Sequence, residues 1–590
     1  MTEEVKHAER PVGDAFFERS DIEDTARPTS TAARVVREEP AGESEEVSSP
    51  SVPPEAAPPA APPPSPPAAA AKSGDWKPTA NPWVVAIVVT MAAFMEILDT
   101  TIVNVALPHI AGSLSSSSDE ATWALTSYLV ANGIVLTISG WLGNLLGRKR
   151  YFLICIGMFT VCSFLCGTSH SLGELIIFRL LQGFFGGGLQ PNQQSIILDY
   201  FPPEKRGAAF GVTAIAIIVA PILGPTLGGF ITDSSSWRWI FFINVPVGIV
   251  AVFLVSILVE DPPWARPRPR GTDFIGLGLI AVGLGCLQVF LDRGEDEDWF
   301  GSGLIMAMAL IATACLIGAV LWLIVAKKPI IHLEVFKDRN FAAGCAMISA
   351  MGGILYASAV LIPQFAQQVI GYTATWAGMI LSPGGIVVLF LIPIVGRIMT
   401  KVQTRYVIAF GFFTLGCAFV FSTRLVPNID FYHLVLLRSS QSAALAFLFV
   451  PISTIAYRTL PRELNGDATA LYSMFRNVAG SVGIALSTAA IQQRVQTHEA
   501  YLSNWASVLN PPYNALVHRY QQSLETMGHV ASQAHDMAVG QVLQVFRAQA
   551  SVLAYSDVFF YCSFVAFAMV PFCFLLSASK TGGGGGVGAH

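Results

Sequence analysis

Charged residues make up only 13% of this 590-residue chain, against about a quarter in soluble globular domains. That deficit excludes an ordinary soluble enzyme. No GxxxxGK[ST] loop occurs, so the chain is not expected to hydrolyse ATP. No HExxH, GxSxG or histidine cluster falls within an apolar run, which leaves no catalytic residue and no metal ligand to name. Histidine is missing from the centres of those runs, which argues against a histidine proton relay. The nine cysteines (155, 162, 166, 286, 315, 345, 417, 562 and 573) form no CxxC pair and all lie in apolar stretches, the pattern of core packing. There is no long basic stripe, so nucleic acid is not an expected partner. Residues 1–82 lack an apolar segment of signal-peptide type.

What the chain has in abundance is apolar sequence, 53% by residue with a mean hydropathy of +0.55. Runs of about 20 apolar residues recur from residue 83 onward, the length that crosses a bilayer. The hydropathy predicts fourteen spans: 83–108, 122–145, 151–169, 174–200, 206–232, 239–260, 272–292, 303–326, 341–369, 374–400, 405–424, 431–457, 467–492 and 556–578. Ahead of them, residues 1–82 carry 15 acidic against 8 basic residues and a Pro/Ala-rich stretch. Such composition cannot bury enough apolar area to offset chain entropy, so a disordered tail is expected.

Basic residues orient the spans. With both termini placed in the cytoplasm, eighteen Lys and Arg fall on cytoplasmic connections or the C-terminal tail. They include Arg148, Lys149, Arg150, Arg266, Arg268, Arg270 and Lys580. The short external loops hold only Arg238, Arg293 and Arg424. An odd number of spans would scramble this asymmetry.

Three basic residues, Arg179, Arg438 and Arg476, and two acids, Glu96 and Asp99, remain within spans. Charge at membrane depth is costly, so each is expected to face a cavity or a partner and to be functional. Helical rise places Asp99 about 24 Å from the inner end of span 1 and Arg179 about 8 Å from the outer end of span 4. The two share a depth and are able to pair. Glu96, three residues before Asp99, shares its helix face. Arg476 has no partner that spacing can name.

The sequence also repeats itself. Span 4 reads IIFRLLQGFFGGGLQP and span 12 reads VLLRSSQSAALAFLFVP, so Arg179 and Gln182 mirror Arg438 and Gln441. GPTLGG in span 5 and AGSVG in span 13 follow at the same offset. Spans 1–6 therefore match spans 9–14, with spans 7 and 8 inserted. Two related six-helix halves around a midplane site are transporter architecture.

Several motifs carry a family resemblance. GWLGNLLGRKR (140–150) resembles the major facilitator loop G-x-L-x-D-x-x-G-R-[RK]-[RK], with Gly140, Gly147 and Arg148 in place and Asn144 where the family has Asp. APILGPTLGG (220–229), with Pro221, Gly224, Pro225, Gly228 and Gly229, resembles the antiporter motif of that superfamily. There Pro225 is expected to bend the helix and the glycines to permit tight packing. LDTTIVNVALP (98–108) and WRWIFFINVPVG (237–248) resemble the fourteen-span drug:proton antiporters. LDRGEDEDWF (291–300), EVFKDRNFAAGC (334–345), GYTATWAG (371–378) and the terminal GGGGGVGAH are similar to EmrB-type efflux pumps.

The resemblance implies an all-α polytopic membrane protein of major facilitator fold in the bacterial inner membrane. Its parts would be a cytoplasmic tail (1–82), an N-terminal six-helix bundle (83–260), two inserted helices with linkers (261–340), a C-terminal six-helix bundle (341–578) with a periplasmic loop (493–555), and a Gly-rich tail (579–590). It further implies small-molecule drugs as cargo, an EmrA-type periplasmic adaptor, and a TolC-type outer-membrane channel reached through the adaptor.

Without an ATP loop, energy is expected from a proton gradient and no cofactor. A carboxylate in a low-dielectric site can load and release a proton. Asp99 is the first candidate and Glu96 the second, with Arg179 biasing the site. The other reading of Asp99 is a purely structural pair with Arg179. Arg438 and Arg476 join the conformational motifs. Candidates for an apolar cargo cavity with a few polar groups are Phe94, Asn104, Gln182, Asn192, Gln193, Tyr356 and Gln441, each of which also fits plain helix packing. Gln364, Gln367 and Gln368 are read as an exit rim. The stretch 520–550 is helix-compatible, with Leu524, Met527, Val530, Met537, Val542, Leu543 and Val545 offering a face to the exit, the adaptor or the bundle. A metabolite or siderophore exporter of the same fold is the alternative function.

Overall fold

The computed structural model describes residues 76, 78–265, 273–507 and 509–577, which are helical and hold no strand. The expected tails fall largely outside these residues, as do Arg266, Arg268, Arg270 and Lys580. The helices are α1 (Pro82–Ser113), α2 (Ser118–Leu146), α3 (Arg148–Thr168), α4 (Leu172–Gly186), α5 (Leu189–Tyr200), α6 (Pro203–Ser234), α7 (Trp239–Phe242), α8 (Asn244–Leu258), α9 (Phe274–Arg293) and α10 (Gly303–Val325). Then come α11 (Arg339–Gln368), α12 (Ala374–Lys401), α13 (Thr404–Ser422), α14 (Phe431–Ala456), α15 (Asn465–Ser503), α16 (Pro511–Thr526) and α17 (Ala531–Phe572).

Thirteen stretches are long and apolar enough to cross a membrane, with α4–α5 and α7–α8 each counted as one. The bent helix α6 makes the fourteenth. The chain is thus a multi-pass membrane protein. In hydrocarbon every backbone N–H and C=O must be satisfied internally, which is why the apolar runs are helices. Their starts are set by side chains that accept the orphan N–H groups. Ser117 and Glu120 form a reciprocal capping box at 3.1 and 3.0 Å. Asp273 and Asp338 accept from Gly276 and Phe341, each at 2.9 Å.

Helices α1–α8 pack among themselves, α1 on α6 and α2 on α4 most extensively. Helices α11–α15 and α17 do the same, led by α11 on α15 and α12 on α14. The two sets meet where α6 lies along α12 and α2 along α15, while α9 rests on α2 and α10 on α9. This is the expected arrangement of two six-helix bundles with an inserted pair.

Three details refine the expected spans. Span 4 is interrupted at its glycine run, between Gly186 and Leu189. A Cβ on Gly187 would lie 2.4 Å from the Asn132 carbonyl oxygen of α2, so the close approach requires glycine. In α6 the 42° bend falls between Pro221 and Leu223, in the turn that precedes Pro225. Pro225 has no N–H for the carbonyl of Pro221, and its ring crowds that carbonyl, so the expected bend appears one turn ahead of it.

The segment 493–555, expected to be helix-compatible over 520–550, is helical for most of its length. Helices α15 and α17 run on beyond membrane length, and α16 packs against α17 through Val517, Leu524, Ala534, Ala538 and Val542. Gly528, at φ +97°, turns the chain between α16 and α17. The apolar positions of 520–550 therefore split: Leu524 and Val542 are buried, while Met527, Val530, Met537, Leu543 and Val545 are exposed.

Candidate functional site

Helix α1 is apolar for most of its length, and its two acids point into the protein. Asp99 is fully buried. Its Oδ2 accepts from Arg179 Nη1 at 2.6 Å, and its Oδ1 accepts from Gln182 Nε2 at 3.0 Å and Asn244 Nδ2 at 2.7 Å. Gln182 also accepts from Arg179 at 2.8 Å, and Asn244 donates to Ser163 at 3.1 Å. The Arg179 guanidinium sits 4.1 Å above the Tyr128 ring and donates to the Ala124 carbonyl at 3.3 Å. A buried carboxylate with one ion pair and two amide donors is fully satisfied by α4 and α8. The matched depths of Asp99 and Arg179 do correspond to contact.

Glu96, one turn earlier, is also buried, and among the described residues no basic side chain pairs with it directly. Asn132 Nδ2 donates to its Oε1 at 3.0 Å, and Gln190 Nε2 donates to its Oε2 at 2.5 Å. The Tyr128 hydroxyl stands 3.5 Å from Oε1. Gln190 accepts in turn from Arg476 on α15. Arg476 thus has its partner: an amide bridge leads from the C-terminal bundle to the second acid of α1. Tyr356 stands beside Arg476.

The C-terminal bundle repeats half of this arrangement. Arg438 donates to Gln441 at 3.4 Å and to Ser358 at 2.7 Å, and Gln441 donates to Ser422 at 2.9 Å. Ser358 on α11 stands where Asp99 stands on α1. Among the described residues no carboxylate pairs with Arg438. The repeat therefore keeps the Arg–Gln pair and lacks the acid beside it: Ser358 stands at Arg438 where Asp99 stands at Arg179.

At the end of the bundle that carries Gly147, the two halves touch. A Cβ on Gly140 would lie 2.6 Å from the Gly466 carbonyl oxygen. Arg148 pairs with Asp199, which also accepts from Trp264 at 3.0 Å and Asn465 at 3.3 Å. Asn144 stands 3.5 Å from Asp467, whose other oxygen contacts His332 at 2.6 Å. Ser195 and Thr469 are 2.6 Å apart, and Arg206 donates to the Tyr457 carbonyl at 3.0 Å. Lys149 N–H donates to Asp261 at 2.8 Å, and burial holds that carboxyl above its ordinary value.

The profile of the Major Facilitator Superfamily matches residues 89–484. The chain belongs to the Major Facilitator Superfamily. Within it, the chain is 37% identical to the Multidrug export protein EmrB of Escherichia coli (strain K12) over 508 residues, 86% of this chain and 98% of the relative. It is 34% identical to the Fatty acid resistance protein FarB of Neisseria gonorrhoeae, over 86% and 99%. The fold is shared with the crystal structure of the human organic anion transporter MFSD10 at a TM-score of 0.50 and 14% identity, covering 82% of this chain and 99% of that one. Members are transporters, not enzymes.

Seen as a superfamily member, the chain carries its motif glycines at helix contacts. A Cβ on Gly224 would meet Thr101 Oγ1 at 2.1 Å, one on Gly228 would meet Ile102 at 2.9 Å, and one on Gly229 would meet Thr375 at 3.3 Å. The proposed cavity residues are dispersed. Gln182 belongs to the Asp99 cluster and Gln441 to its mirror. Asn192 donates to the Arg148 carbonyl at 3.0 Å, at the Gly147 end. Gln193 ties α1 to α6 through Thr90 at 3.0 Å and Thr213 at 2.8 Å. Asn104 is exposed, and Phe94 packs half-buried on the core. A cavity of about 1090 Å³ does exist, but none of these residues lines it.

Asn132, Gln190, Asn244 and Asp199 were missed as site residues. Asn244 lies inside WRWIFFINVPVG and Gln190 inside the repeated span, so their motifs held a signal. Asn132 is a lone amide in an apolar run, with nothing in the sequence to mark it.

Proposed function

We propose that this transporter exports hydrophobic or amphipathic drugs across the bacterial inner membrane, driven by the proton gradient. Export would proceed by alternating access of the two bundles, with the chain as the inner-membrane component of a tripartite pump. Similarity to a multidrug export protein and to a fatty acid resistance protein supports cargo of that chemistry. An EmrA-type adaptor and a TolC-type channel are the corresponding partners, and no cofactor is invoked.

The observation that carries proton coupling is the pair of buried carboxylates on α1, one ion-paired within its own bundle and one bridged to the other. Protonation of Asp99 would remove the charge that Arg179, Gln182 and Asn244 converge upon. Protonation of Glu96 would turn one of its oxygens from acceptor to donor and loosen its hold on Gln190. A proton shifts the equilibrium between the two facing states only if it binds one of them more tightly, and each change would act through the contacts named above. Cargo and proton would favour opposite-facing states.

Substrate-dependent proton flux in proteoliposomes tests this reading, with wild type set against Asp99→Asn and Glu96→Gln. Loss of coupled flux in either variant supports it; full proton-driven efflux in both overturns it. A metabolite or siderophore exporter of the same fold is the second reading. Dye accumulation in pump-deficient cells carrying this chain separates the two.

A further inference from the structure

The 1090 Å³ cavity lies apart from the buried acids, between the inserted helices and the C-terminal bundle. Its walls come from α9 and α10 on one side and α11, α15 and α17 on the other, with Thr137 of α2 and residues 331–336 completing the lining. Lining residues on α15 run from Leu471 to Ala490, about 28 Å of helical rise. That is close to the hydrocarbon thickness of one bilayer. Val320, Ile324, Leu486, Tyr561 and Val565 line it and are exposed, so the slot opens sideways at membrane depth. Few hydroxyls interrupt the lining, and no charged side chain does.

A void of this size forfeits dispersion contacts on all its walls. Water is a poor occupant, because an apolar cavity offers it no partners. Bilayer hydrocarbon fills it without desolvation, since lipid tails are as apolar as the lining. The mouth supplies the headgroup preference. Helix α10 ends at Val325, just past the lining residues Leu323 and Ile324, and the exposed Lys327 and Lys328 follow before Ile331 and Leu333 return to the lining. Two ammonium groups at the rim of an acyl-length slot complement a phosphodiester headgroup above a hydrocarbon chain.

We propose that the slot is a binding site for one anionic phospholipid. Its acyl chain lies between α10 and α15 and its phosphate is at Lys327 and Lys328. The lipid wedges the inserted pair against the C-terminal bundle. The α9 end of that pair is already held to α2 by Thr126–Asp292 and by Arg293 on Thr122 at 2.5 Å. The inserted helices therefore hold on to one bundle by these polar side chains, and to the other by Gln288 donating to Ser481 at 3.2 Å and, across the slot, through lipid.

The test uses the full-length chain, reconstituted in equimolar phosphatidylglycerol and phosphatidylethanolamine and then stripped stepwise with detergent. Native mass spectrometry counts the retained lipid. One phosphatidylglycerol per chain is expected, favoured over phosphatidylethanolamine on the order of tenfold. Lys327→Gln with Lys328→Gln is expected to remove the preference, and Ala319→Phe to remove both lipids. Lys401→Gln, which deletes a charge on α12, is expected to behave as wild type. The lysine pair is exposed, so its variant remains informative if Ala319→Phe does not fold. Retention without headgroup preference overturns the proposal. So does retention unchanged in both the lysine and the Ala319 variants, or displacement of phosphatidylglycerol by micromolar oleate, which assigns the slot to a free single-chain acid.

Discussion

Replacing Asp99 by Asn removes the countercharge of a guanidinium that has no access to solvent. Arg179 keeps Gln182, the Ala124 carbonyl and the Tyr128 ring, but its closest contact, 2.6 Å, becomes amide against guanidinium. Breaking a buried ion pair from one side costs about 3–5 kcal/mol, because the remaining charge stays buried. Arg179→Gln strands the carboxylate and is expected to cost a similar amount. The double variant buries neither charge and is expected within about 1–2 kcal/mol of the parent, a strongly non-additive cycle. Thermal unfolding of the purified proteins in detergent measures the stability arm, and proton flux in proteoliposomes measures the coupling arm. If Asp99 carries protons, the double variant recovers stability without recovering proton-driven efflux. Additive losses of stability would refute the energetic account of the pair. A double variant that folds and still couples efflux to protons would remove Asp99 from the mechanism and leave Glu96.

Gly140→Val places a side chain where only 2.6 Å is open to the Gly466 carbonyl; overpacking of about 1–3 kcal/mol or more should hold the halves apart. Whole-cell efflux is expected to fall at least about tenfold by that energy, while Gly143→Ala, with no neighbour nearer than 3.9 Å, keeps it. Ser358→Asp gives Arg438 the carboxylate that its mirror Arg179 already has, at a position now 2.7 Å away. It is expected to raise the unfolding temperature by several degrees, and a lowered temperature would contradict the view of Arg438 as an uncompensated charge. Asp261 binds its proton more tightly in the folded chain than its ordinary 3.8, because burial disfavours the anion. Its ionisation therefore subtracts stability as pH rises through the folded value. Asp261→Asn, which keeps an acceptor for Lys149 N–H, is expected to stabilise the protein at pH 7 and to be neutral at pH 3, as read by unfolding temperature against pH.

The spans were legible because a bilayer imposes one length and one secondary structure on an apolar run. The repeat was legible because Arg179/Gln182 and Arg438/Gln441 hold the same spacing on equivalent helices. Depth arithmetic from helical rise was enough to bring Asp99 to Arg179. It was not enough for Arg476, whose partner Gln190 lies 286 positions away in another bundle. Nor could it separate the polar candidates of one cavity, since Asn192, Gln193 and Asn104 differ in facing, and facing depends on neighbours. The apolar stripe at 520–550 was visible, but a turn at Gly528 divided it between a hairpin core and an exposed face.

By itself the sequence determined that this chain is a multi-pass membrane protein built of two related halves, with few ionisable groups inside its spans. Hydrophobic length and charge cost are local properties, written residue by residue. Only the tertiary structure decided which acid is ion-paired and which is bridged, where the halves touch, and that the large cavity lies beside the inserted helices instead of among the polar residues. Those outcomes depend on which helices become neighbours, and a contact between distant segments leaves no mark on either segment alone.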